Sequence, residues 1–133
     1  MRELGYTHLM LRIVGLHRGT DAADEFVLLQ NQGSIRVRLK GHAIMTESKF
    51  LAQASSEGSF AFTDEEFVPA GHFVLLRSGT GEPRWGFSKD GSRVFFTFAA
   101  APRPLWPESA GSLHVLHIQH TYVERKPSPI PIE

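Results

Sequence analysis

The chain has no convincing long helix with apolar residues at three- and four-residue spacing. Its apolar positions come in short runs, many alternating, cut by turns rich in Gly and Pro. That pattern predicts a mainly β protein. Segments 8–16 (HLMLRIVGL), 24–31 (DEFVLLQN), 42–47 (HAIMTE), 72–78 (HFVLLRS), 93–99 (RVFFTFA) and 113–124 (LHVLHIQHTYVE) read as strands, the last as the longest. In 35–39 (IRVRL), Ile35, Val37 and Leu39 point to one face while Arg36, Arg38 and, next along the chain, Lys40 point to the other, because strand side chains alternate. The run 24–31 is almost continuously apolar, which predicts a strand in the middle of a sheet.

Turn chemistry divides these strands. Gln32, Gly33 and Ser34 end the second one, VPAG at 68–71 sets a tight turn that suggests a hairpin into 72–78, and KDG at 89–91 precedes 93–99. Segment 51–59 reads as a loop or at most one helical turn, and 79–86 (GTGEPRWG) as a loop. Segment 101–111 has too much Pro for regular structure, and the tail 125–133 cannot sit inside a sheet because Pro127, Pro129 and Pro131 lack amide donors. The expected architecture is one all-β domain over 1–124, an immunoglobulin-like antiparallel β-sandwich of seven to nine strands, followed by an extended Pro-rich tail over 125–133. A partly closed barrel is the alternative.

Composition narrows function. Fourteen Lys and Arg balance fourteen Asp and Glu, which argues against a globally basic nucleic-acid binder. The chain has no cysteine, so disulfides, thiolate metal sites and cysteine nucleophiles are excluded. Nothing approaches the roughly 20 apolar residues of a membrane span, and Glu3, His8 and Arg12 interrupt the N-terminal stretch where a signal peptide would be apolar. A cytoplasmic chain is the default expectation, with no membrane partner. G-x-S-x-G, Walker and H-E-x-x-H motifs are all missing, so no catalytic residue, metal or cofactor is assigned.

Three stretches carry a family resemblance. EFVLLQNQG at 25–33 followed by IRVRLKGH at 35–42, Phe60 and Phe62 followed by VPAGHFVLL at 68–76, and SKDGSRVFF at 88–96 together resemble the lamin-tail domain family. Glu25, Phe26, Val27, Asn31, Leu39 and Gly41 fall on its pattern. His42 stands where the family commonly has Trp, and Leu28 where a second Glu is frequent. The resemblance implies an immunoglobulin-like sandwich that works as an interaction module, with proteins and DNA among the family's partners.

Several residue groups are candidates for chemistry. Arg36, Arg38 and Lys40 form a basic stripe that would meet phosphates or an acidic peptide; the plainer alternative is a solvated sheet face. Trp85 and Trp106, in segments rich in Pro and Gly, are candidates for stacking on a sugar or a proline-rich peptide, against the plainer role of capping the core. His114, His117 and His120 are spaced by three, which in a strand puts His117 on the face opposite the other two, so they do not converge on one ion. The acidic groups Asp21, Asp24 and Glu25, and Asp64, Glu65 and Glu66, lack calcium-loop spacing and read as turns. The resulting expectation is a non-enzymatic module binding a protein, or nucleic acid through the local stripe, by its sheet edges and loops; the alternative is a carbohydrate-binding sandwich using the tryptophans.

Overall fold

A computed structural model of the chain describes residues 10–52 and 58–118. In chain order its elements are β1 (Leu11–His17), β2 (Phe26–Asn31), β3 (Val37–Arg38), β4 (His42–Thr46), the helix α1 (Glu47–Ala52), β5 (Ser59–Ala61), β6 (Phe67–Val68), β7 (Phe73–Arg77), β8 (Arg84–Phe87), β9 (Arg93–Phe98) and β10 (Leu113–His117). They form a five-stranded sheet in the order β1-β2-β7-β9-β8, a three-stranded sheet β10-β4-β5 and a small pair β3-β6. The all-β sandwich is therefore present. It has ten strands among the described residues, two of them only two residues long.

One core unites the sheets. Leu11, Val27, Leu29, Val74, Leu76 and Phe95 come from the five-stranded sheet, Ile44 from the three-stranded one, and Val37 and Val68 from the small pair. Leu39, Phe62 and Trp106 fill it from connecting segments. The alternation that predicted strands thus selects which residues go inside: in β2, Val27, Leu29 and Asn31 are buried while Phe26, Leu28 and Gln30 are only half-buried.

Several expectations need correction. Ile35 does not join Val37 and Leu39 in the core; it is 63% exposed, because pairing begins only at Val37. The Pro69–Gly71 turn forms, with the His72 amide donating to Pro69 O and Gly71 at φ +84, where a side chain is strained. It joins no hairpin, however: β6 pairs with β3, whereas β7 pairs with β2 and β9. The 79–86 segment is not all loop, since β8 occupies the sheet edge from Arg84. A helix stands at Glu47–Ala52, where Thr46 Oγ1 accepts the Lys49 amide as an N-terminal cap. The last strand is described only through His117, and residues 119–133, including His120 and the Pro-rich tail, lie outside the described residues.

The sheet is also not wholly antiparallel. The β7–β9 pair runs parallel, because the chain leaves β7, skips a place to lay β8 at the edge, and returns as β9 in the gap. Ala100, with φ 56, then turns the backbone out of β9, and its neighbour Ala101 donates back to Ser78 O.

Candidate functional site

The central strands of the five-stranded sheet are apolar on both faces. Opposite the core, registered rows run across it: Phe26, Arg77 and Phe98; Leu28, Leu75 and Phe96; Gln30, Phe73 and Val94. In an antiparallel sandwich the outward face is usually polar. Here seven of these nine outward positions are apolar; Val94 is buried and the other six are half-buried. Leu28, Phe73, Leu75, Val94 and Phe96 floor an open groove of about 520 Å³, walled at one end by the Ser88–Asp90 turn.

Cations edge this groove. The Arg84 guanidinium lies 4.7 Å from the centre of the Phe96 ring, and that of Arg77 lies 5.6 Å from the centre of the Phe26 ring. Lys89 stands in the end wall. Beside it, the Asp90 carboxylate accepts hydrogen bonds from the Ser88 hydroxyl and the Ser92 amide, which hold its pKa below the ordinary aspartate value. Sequence reading missed this site for a definite reason. A doubly apolar strand signals a central position, but only the sheet order shows which of its residues line the groove on the second face.

The basic stripe takes a different form from the expected one. Arg38 and Lys40 both bond the same carboxylate, that of Glu65, at 2.5 and 3.0 Å, and the two hydrogen bonds push the Glu65 pKa down. Arg36 stands apart with its guanidinium 4.4 Å from the centre of the Phe67 ring. The β3–β6 pairing thus brings the acidic run 64–66 alongside the stripe, where Glu65 offsets part of its charge. Lone acids and bases in sequence gave no hint of that pairing, because the partners are more than twenty residues apart.

Neither tryptophan offers a free ring. Trp106 is fully buried, so it caps the core and cannot stack on an external ligand in this conformation. Trp85 lies on β8, donates from Nε1 to Glu66, packs against Phe95 and is covered by the Arg93 guanidinium at 4.5 Å. The histidines diverge. His114 bonds the Glu47 carboxylate and stacks on Phe50, whereas His117 stacks face to face on His42 with ring centres 4.1 Å apart. Among the described residues no group of three His, Cys, Asp or Glu side chains is arranged to hold a metal ion.

Three polar residues of the first stretch have structural work. Glu25 is fully buried, and its carboxylate accepts the Ser78 hydroxyl and the Leu105 and Trp106 amides. Asn31, also fully buried, donates to Ile35 O and Val68 O and accepts the Gly33 amide, closing the turn after β2. His42 fills a core position: its Nδ1 lies 3.2 Å from Leu39 O, which fits a proton on Nδ1, and its Nε2 is buried with no hydrogen-bond partner among the described residues. Burial, then the neighbouring His117, lowers its pKa. Among the described residues no helix is long and apolar enough to cross a membrane.

No family model and no curated protein matches the chain. The functional reading therefore rests on geometry and on the residue pattern.

Proposed function

We propose that this protein is a non-enzymatic interaction module that takes a protein partner on the outer face of its five-stranded sheet. The observation that carries the reading is the apolar floor of Leu28, Phe73, Leu75 and Phe96, left half-buried by the fold. Exposed apolar surface of this kind, ringed by polar groups, is what association sites provide. The lamin-tail resemblance supports the same class of function, with the sheet face in place of the edges and loops as the contact surface.

The test is affinity capture from an extract of the source organism with the wild type and a Leu75→Glu variant, whose folding is checked by circular dichroism. A protein retained by the wild type and lost with the variant is expected. Equal retention by both, or background alone on the wild type, sinks the proposal.

A further inference from the structure

The groove has a sign as well as a shape. Arg77 stands at the Phe26 end, Arg84 on the β8 side and Lys89 at the opposite end, so cations border three sides of the apolar floor. Among the described residues, no carboxylate pairs with Arg84 or Lys89. Among the described residues, the Arg77 guanidinium donates to a carbonyl, that of Ala23. The one acid in the wall, Asp90, is already engaged by Ser88 and Ser92.

We infer that the groove receives an acidic amphipathic segment of a partner protein, with aromatic or aliphatic side chains seated on Leu28, Phe73 and Leu75 and carboxylates meeting Arg77, Arg84 and Lys89. This rests on the interaction reading above and gives it a partner chemistry. Charge complementarity decides among occupants. A second copy would set this cationic rim against its own image, which repels. A membrane surface is flat, whereas the apolar floor here is recessed behind charged walls. A carboxylate-bearing peptide satisfies both features, since arginine at the edge of a desolvated apolar contact is a favoured interface arrangement.

Two short synthetic peptides test the inference, both alternating Leu and Phe with a charged residue, Glu in one and Lys in the other. Each is titrated into the wild type, Leu75→Glu and Arg84→Glu/Lys89→Glu by calorimetry, with Lys89→Glu alone as a second variant should the double one fold poorly. The Glu peptide is expected to bind the wild type, to weaken steeply between about 50 and about 500 mM salt, and to lose about tenfold or more in affinity on charge reversal. The Lys peptide should gain on the reversed variant, and Leu75→Glu should bind neither.

Failures separate the two claims. Equal binding of both peptides, or a Glu-peptide affinity unchanged by charge reversal, overturns the acidic partner while a loss with Leu75→Glu still upholds the docking face. Binding of neither peptide overturns the inference. So does uptake of phosphatidylserine vesicles in place of the peptide, or a dimer in sedimentation that Leu75→Glu abolishes.

Discussion

His42 shows how one side chain couples the core to pH. Its ring is 1% exposed, stacked on His117, and carries a buried Nε2 for which the described residues supply no partner. Protonation there would place a charge in the core beside a second imidazole. Its folded pKa is accordingly lowered by burial, so as pH falls the unfolded chain takes the proton first. Stability contributed by neutral His42 is present above the unfolded value of about 6.5 and is lost progressively below it. Melting temperature should therefore fall on acidification from about pH 6.5, and His42→Phe, which keeps an aromatic ring but cannot titrate, should flatten that fall. An identical acid slope in the variant would assign the effect to other groups.

At the scale of elements, Glu25 is the clamp between β2 and the irregular segment before β10. Three donors converge on it, from Ser78, Leu105 and Trp106, and Arg18 holds the same segment from outside by bonding Trp106 O and Gly111 O. Glu25→Ala leaves those donors without their acceptor, which should cost about 3–5 kcal/mol in urea unfolding. Hydrogen exchange gives the local signature: the Leu105 and Trp106 amides should lose protection ahead of β2 itself. Uniform loss across the sheet would mean that Glu25 has no special hold on the segment. The clamp was only partly legible in the sequence. Glu25 matched a family pattern, but nothing in the Pro-rich stretch announced that its backbone would supply the donors. Turns were easier, as Pro69 and Gly71 show, because a tight turn depends on local angles. Which sheet each flanking strand joins depends on distant partners, and so the hairpin expectation failed there. β8 was hidden for a related reason: a short edge strand flanked by Pro83 and containing Gly86 has the composition of a loop.

For the whole molecule, the decisive fact is that adjacent residues of β7 face two different surroundings. Leu76 is fully buried in the common core, while Leu75 lies on the groove floor. Leu76→Glu should cost about 4 kcal/mol or more, a large share of a typical domain's margin, because it puts an unpaired carboxylate into the core. Leu75→Glu should cost about 1–2 kcal/mol and reduce binding of an apolar dye. Denaturant midpoints for the pair check this, and equal losses would mean that the groove is as closed as the core. The class of fold was readable because both faces obey strand periodicity. The groove was not, because what lies over a sheet is a property of its neighbours.

The skipped place between β7 and β9 determines what kind of surface this is. Its floor draws on β2, β7 and β9, the last of which reaches its position only after β8 has been laid outside it. The recognition surface is therefore a discontinuous epitope. No short peptide cut from the chain reproduces it, and any event that detaches the β8–β9 hairpin erases it at once. Partner binding and docking of that hairpin are thereby thermodynamically linked.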